Sequence, residues 1–314
     1  MADRFAIVVP AHNAARHLRR TVESVRAQTV ADWRLVIVDD CSDDETLAVA
    51  RALEQEDARI QAVTRPNGGP GAARNSGLAR SDPSAPFVSF LDADDVWEPD
   101  ALEVLLAALE ASPRAPAAHG RGRYIDSEDR VLHGGEMGWA QRRELRGTDL
   151  RVLAPHEPTT FESLCFANCI PSPGAVVIRR TALDEAGAFD EDRAVMAAED
   201  YDLWLRLSLL GPLAFVDRVV LGYRVHGSGI SGNRGRMERS ELGVRRKLVG
   251  RAGLSPEQRD LVQRSWRRYQ QEVAAGKLRH AAEDLARARL GEAARQVLRG
   301  LRAGARSLRP LDAP

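Results

Sequence analysis

The chain has 314 residues, 44% of them hydrophobic, with 45 basic and 45 acidic side chains. That length suits one large domain with an appendage, and zero net charge excludes a protein that coats nucleic acid or membrane with uniform positive charge. The balance is uneven, because from Arg234 onward 20 Lys and Arg face 9 Asp and Glu, which places +11 there and −11 on residues 1–233.

Residues 5–9 form a short apolar run stopped by Pro10 and read as the first strand, and Asn13 can cap the helix that carries Leu18, Val22 and Val25 at helical spacing. Residues 34–38 are a second buried strand ending in Asp39-Asp40. Ser42, with Glu45 three residues on, reads as a capping box for a helix that turns Leu47, Ala50 and Leu53 inward. Cys41 in this turn, with Cys165 and Cys169, fits neither a disulfide framework nor a paired CxxC, so a reducing cytoplasmic setting is expected. Residues 60–63 are a third strand, and Asn67-Gly68-Gly69-Pro70-Gly71 is a loop. Residues 87–91 are a fourth strand, apolar on both faces, ending in Asp92, Asp94 and Asp95.

A helix over 99–111 follows, and then residues 117–158 show no period and predict only an insertion of short strands and loops. Residues 175–178 restore a strand, 181–186 a helix ended by Gly187, and 198–207 an acid-led helix with Leu203, Leu207 and Leu210 facing the core. One or two strands over 213–223 and a closing segment over 224–231 complete an α/β domain assigned to 1–233, with a helical, basic region over 234–314. The last helix, from about Leu290, places Ala294, Val297, Leu298, Leu301, Ala305 and Leu308 on one face, beside Arg295, Arg299, Arg302, Arg306 and Arg309. Two uses stand open: packing on neighbouring helices with the arginines in water, or lying on an anionic membrane surface. No opening signal sequence and no bilayer-length apolar run is present, so the expected location is cytoplasmic, at most at the inner face of a membrane.

Carboxylates follow the second and fourth strands, and that edge is where open α/β sheets take their ligands. Three Asp in four residues repel one another unless a positive group sits among them, and hard divalent cations favour such oxygens. Val8-Val9-Pro10-Ala11-His12-Asn13, Ile37-Val38-Asp39-Asp40-Cys41-Ser42, Gly71-Ala72-Ala73-Arg74-Asn75, Leu91-Asp92-Ala93-Asp94-Asp95 and Glu199-Asp200-Tyr201-Asp202-Leu203-Trp204 stand in this order. In order and spacing they resemble the motifs of the family 2 glycosyltransferases of GT-A fold, over roughly residues 5–231.

The resemblance implies a GT-A-type, mostly parallel sheet flanked by helices, and inverting transfer of a sugar from a nucleoside diphosphate sugar to an acceptor hydroxyl. UDP is the expected nucleotide, Mn²⁺ or Mg²⁺ the expected cofactor, and cell-surface polysaccharide, lipid-linked glycan or glycoconjugate synthesis the expected setting. Acceptors would be glycans, lipid-linked sugars or proteins, with no nucleic acid partner. Asp94 would bind the metal, and Asp92 the ribose or a metal-bound water. His226, in Tyr223-Arg224-Val225-His226, would approach the diphosphate or metal, and Asp95 would either support the metal-binding carboxylates from behind or cap the following helix. Asp39 can accept the N3 proton of uracil, Pro10, Ala11 and Asn13 would shape the base pocket, and Ala93 would lie against the donor. Arg74 could reach a phosphate as a charged fork. Asp200 would be the base and Glu199 would orient the acceptor.

Two departures stand out: Cys41, where the family usually has glycine, and Ala14-Ala15, where many members are acidic. The alternatives are a non-catalytic carbohydrate- or nucleotide-binding protein on the same fold, and a nucleotidyltransferase. The second usually needs a glycine-rich phosphate cradle, and Val9-Pro10-Ala11-His12-Asn13-Ala14-Ala15 has no glycine.

Overall fold

The computed structural model describes residues 4–137, 141–226, 234–286, 290–308 and 311. Residues 227–231 of the expected closing segment, and Arg309, lie outside them. Strands β1 (Phe5–Ala11) and β2 (Trp33–Asp39) are buried along almost their whole length. Helices cover them: α1 (Ala15–Arg26) turns Leu18, Val22 and Val25 inward at 0% exposure, and α2 (Thr46–Glu56) does so with Ala50 and Leu53. After β3 (Ile60–Thr64), α3 (Pro70–Arg80) opens with a proline, whose fixed φ suits a first helical turn. It lies so close to β1 that a Cβ at Gly77 would come within 2.3 Å of Val8 Cγ1. Strand β4 (Phe87–Phe90) completes a parallel half-sheet in the order β3-β2-β1-β4.

The other half is mixed. It draws on β5 (Val96–Trp97), β6 (Ala117–Ile125), β7 (Val131–Glu136), β10 (Val176–Arg179) and β11 (Ala214–Arg224), arranged β4-β10-β6-β11-β5 with β7 on β6. Strand β10 runs antiparallel to β4 and β6, whereas β11 runs parallel to β6. The helices between them are α4 (Ala101–Ala111), α5 (Phe161–Phe166), α6 (Arg180–Ala186) and α7 (Glu199–Leu210), and a two-stranded ribbon joins β8 (Arg143–Arg146) to β9 (Asp149–Val152). Residues 117–125 thus form a full strand inside the main sheet, where the sequence predicts an insertion of short strands and loops. Their small residues have weak strand propensity, but neighbours fill the space. A Cβ at Gly120 would meet Val220 at 2.7 Å, and one at Gly122 would meet Met137 Sδ at 2.7 Å. In α7, Leu203 and Leu207 are buried as expected, whereas Leu210 is 37% exposed at the helix end.

The chain forms two compact units, one of residues 1–142, 152–161 and 168–244, the other of 143–151, 162–167 and 245–314. The expected boundary after residue 233 falls inside the first unit, and the second takes in two short pieces from within the sheet-bearing sequence. The second unit also holds the end of α8 (Arg234–Gly250), with α9 (Pro256–Ala286) and α10 (Leu290–Ser307). Its centre is Arg245, 1% exposed, whose guanidinium lies 4.9 Å from the Trp266 ring and 5.3 Å from the Tyr269 ring and donates to the Phe166 carbonyl at 3.2 Å.

Helix α10 lies along α9 with Gly300, Ala303 and Ser307 inward. The apolar stripe that could have packed there is the exposed one: Leu298 is 56% and Leu301 60% exposed. No helix among the described residues is long and apolar enough to cross a membrane.

Candidate active site

The turns after β1, β2 and β4 lie side by side, because β1 pairs in register with β2 up to Ala11 and Asp39 and with β4 on its other edge. The first two turns are cross-linked. The Asn13 side-chain oxygen accepts the Asp43 N–H at 2.9 Å, and Ser42 Oγ accepts the Asn13 N–H at 3.0 Å. Thr46 Oγ1 and Asp44 accept the N–H groups of Ala14 and Ala15 at 2.8 and 3.2 Å.

The first N–H groups of α1 are therefore satisfied from the neighbouring turn, and Asn13 does not cap its own helix. The expected Ser42–Glu45 box is absent as well. Asp44 accepts the Thr46 N–H at 2.9 Å instead, since Ser42 is committed to Asn13.

Asp39 is 2% exposed and accepts from the Ser42 N–H at 3.3 Å and the Thr64 hydroxyl at 3.1 Å. Pro10 lies opposite Val38, and the Ala11 carbonyl accepts the Asp40 N–H at 2.8 Å. Asp40, which sequence reasoning left without a role, is buried and gathers Arg65 Nη1 at 2.7 Å with the N–H groups of Gly68 and Gly69 at 3.0 and 2.7 Å. It thereby ties the glycine loop to the edge of β2.

The three carboxylates after β4 diverge. Asp95 is 1% exposed and accepts the Arg224 N–H at 3.0 Å and the Ser172 hydroxyl at 3.2 Å. It is not a helix cap, because α4 starts after Asp100 and the Asp95 side chain is turned into the protein. Burial, with Asp94 and Asp92 close by, pushes its carboxyl well above the usual range. Thr21 Oγ1 steadies the same turn through the carbonyls of Ala93 and Asp95, at 2.9 and 2.8 Å.

The buried Arg224 guanidinium donates to the carbonyls of Asp94 and Asp126 at 2.7 and 2.6 Å and pairs with Asp129. Arg224 and Ser172 were not among the expected site residues. For Arg224 the only signal in the sequence is its place two residues before His226; for Ser172 there is none. Asp94 Oδ2 meets His226 Nε2 at 2.7 Å, and this hydrogen bond raises the imidazole pKa. The His17 ring lies 5.5 Å from that of His226.

Arg74 joins the two acidic centres. It is 4% exposed, with Nη2 2.6 Å from Asp92 Oδ1 and Nη1 2.7 Å from Glu199 Oε1. Both terminal nitrogens are engaged, so Arg74 is a buried strut rather than a free phosphate fork. The reason is electrostatic, since two carboxylates brought together out of water require a cation between them. Burial raises the Asp92 pKa even against Arg74. Glu199 also accepts the Ala197 N–H at 2.8 Å, and Ala197 sits at φ 84°, strained for a residue with a side chain. Asp200 follows, half-buried, and burial together with Glu199 pushes its carboxyl up to about 7 although Arg74 opposes the shift.

As metal donors, the Asp94 carboxylate and His226 imidazole converge and suit Mn²⁺ in chemistry. Among the described residues no cluster of three or more His, Cys, Asp or Glu side chains forms a cage. Other ligands would have to come from substrate oxygens, as is usual for Mg²⁺ at phosphate sites.

A parallel half-sheet with acidic turns on its ligand edge, extended by an antiparallel β10 and an acid-led helix, is a GT-A-like architecture. The sequence model described as Glycosyl transferase family 2 matches residues 6–187, and the chain belongs to that family. It is 27% identical to an uncharacterized glycosyltransferase of Nostoc sp., over 72% of this chain and 66% of that protein. It is 26% identical to the chondroitin synthase of Escherichia coli, over 72% of this chain but 29% of the synthase. The chain thus spans less than two thirds of the length of these curated relatives. Among solved structures, S. aureus TarS 1–349 in complex with UDP superposes with a TM-score of 0.60 at 17% identity, over 87% of this chain and 72% of that one.

Proposed function

We propose that the protein is an inverting, metal-assisted glycosyltransferase that moves a sugar from a UDP-sugar to an acceptor hydroxyl. The observation that carries the reading is the meeting of three sheet-edge turns with Glu199-Asp200, joined through Arg74. Asp39 at the floor of the first two turns offers an acceptor for the uracil N3–H, with Pro10, Ala11 and Asn13 shaping the pocket. Asp94 and His226 would hold Mn²⁺ or Mg²⁺, with Asp92 and Ala93 beside the donor. A divalent ion bound there would neutralise the charge gathering on the departing diphosphate.

Asp200 takes the acceptor proton as the acceptor oxygen bonds to the anomeric carbon and the carbon–phosphate-oxygen bond breaks, releasing UDP. A carboxyl with pKa about 7 is matched to that task near neutral pH. Glu199, held by Arg74, orients the acceptor. Likeness to a chondroitin synthase and to the succinoglycan biosynthesis protein ExoW of Rhizobium meliloti, 46% identical over 86 residues, supports a place in polysaccharide or glycoconjugate synthesis, with a growing glycan as acceptor.

The test is a thermal-shift titration of nucleotides and nucleotide sugars with and without Mn²⁺, followed by transfer assays on glycan acceptors. UDP and one UDP-sugar should raise Tm in a way that EDTA reverses. No response to any uridine nucleotide would overturn the donor, and a full response in EDTA would overturn the metal.

A further inference from the structure

Helix α10 packs with the wrong face for a core helix. Its inward side is Gly300, Ala303 and Ser307, and Gly300 is tight enough against α9 that a Cβ there would lie 3.3 Å from the Ala274 carbonyl oxygen and from Leu278 Cγ. Small residues let the two helices approach closely while the large apolar residues of α10 turn away. At 3.6 residues per turn the leucine stripe is centred roughly 130° from the buried triad.

The outer stripe is displayed: Val297 is 39%, Leu298 56%, Leu301 60% and Leu308 84% exposed. Large contiguous apolar surface on a folded protein marks a contact site. One flank of the stripe carries Arg295, Arg299 and Arg302, all exposed, and Glu292 is the only acid in the helix. An apolar ridge bordered by cations is complementary to a surface with anionic headgroups above acyl chains, and it is the pattern of helices that lie in a membrane interface.

We propose that α10 docks the protein on an anionic lipid surface, with Leu298, Leu301 and Leu308 entering the headgroup–acyl boundary and the arginines pairing with lipid phosphates. The inference is independent of the donor chemistry. Flotation of the full chain with vesicles of phosphatidylcholine, alone or mixed with phosphatidylglycerol, tests it. The protein should float with the mixed vesicles only, and less as salt rises. Two combined variants, Leu298→Gln/Leu301→Gln/Leu308→Gln and Arg295→Gln/Arg299→Gln/Arg302→Gln, should each weaken partitioning by about tenfold or more, with helical circular dichroism unchanged.

Failure to float with anionic vesicles, equal flotation with neutral ones, or wild-type partitioning of the leucine variant would overturn the proposal. So would a wild-type dimer in light scattering that the leucine variant converts to monomer without any lipid binding, since a second copy would then cover the stripe. UDP-dependent thermal shifts on the same samples separate a failure of docking from a failure of the donor reading.

Discussion

Asp200 stands where burial and a neighbouring carboxylate work against ionisation, and stability and activity should therefore pull apart there. The unfolded chain ionises Asp200 near 3.8, the folded one near 7. Below the first value both states hold the proton and nothing is lost; between the two, stability falls as pH rises; above the second, the full cost is present. Asp200→Asn should accordingly raise the unfolding free energy at pH 8 by about 1–3 kcal/mol after allowance for partial exposure, and Tm with it, while abolishing transfer and leaving UDP binding intact. In the wild type, kcat/KM should climb with pH through about 7 and then level off. A Tm at pH 8 unchanged by Asp200→Asn, or transfer at the wild-type rate, would remove Asp200 from this role. Cys41 poses the smaller question of strain. It sits at φ 62°, exposed, in a turn where the family usually has glycine. Glycine relieves the left-handed strain but widens the unfolded ensemble, so Cys41→Gly should gain no more than about 1 kcal/mol in urea denaturation. The other two cysteines are buried, so a maleimide should label Cys41 alone in the native protein, with UDP slowing the reaction if the base pocket lies beside it.

Between elements, Arg74 links the turn after β4 to the start of α7, and its loss should be felt as a loss of docking between them. Arg74→Met leaves Asp92 and Glu199 facing each other without a cation and should cost about 3–5 kcal/mol in urea denaturation. Adding Glu199→Gln should return part of that cost, because it removes the more deeply buried of the two facing charges. A double mutant no more stable than the single would mean that the arginine acts through packing against Phe189, whose ring lies 5.2 Å away. The elements most readable in the sequence were those whose residues decide their own fate. The runs that became β1, β2 and β4 are apolar on both faces, and the second and third of them end in acidic turns, so strand, burial and ligand edge follow from pattern alone. Strand β6 was not readable, because its Ala and Gly residues make sense only against Val220, Met137 and Pro171, which come from distant segments. The site divides in the same way. Asp92, Asp94 and Asp200 announce themselves by motif, whereas Asp40, Ser172 and Arg224 act through partners that only the folded chain supplies. Local capping logic failed at Asn13 and Ser42 for a related reason, since each side chain found a better partner across the turn than along its own helix.

At the scale of the whole molecule, the two units are interleaved along the chain rather than strung in sequence. Composition places a boundary near residue 233, where the basic helical region begins, because charge and strand-forming residues both change there. The folded chain ignores that boundary: residues 143–151 and 162–167 leave the sheet-bearing sequence and join the unit that contains α9 and α10. Phe166 is 1% exposed, in edge-to-face contact with Tyr269 at 5.9 Å between ring centroids, and its carbonyl receives the Arg245 guanidinium. Leu164 and Cys165 beside it are equally buried. A chain cut after residue 233 would strip away Arg245, Trp266 and Tyr269 and leave the Phe166 segment without its cover. Uncovering one such aromatic side chain forfeits about 1.5–3 kcal/mol, which for a domain of ordinary stability is a large share of the total. Truncation at 233 should therefore lower Tm and reduce soluble yield, even though every motif of the candidate site is retained. Phe166→Ala in the full chain should reproduce part of the loss, at about 3–5 kcal/mol, by opening a cavity in the second unit. Equal Tm values for the cut and full-length proteins would show that the sheet unit stands alone, and would return the boundary to where composition alone places it.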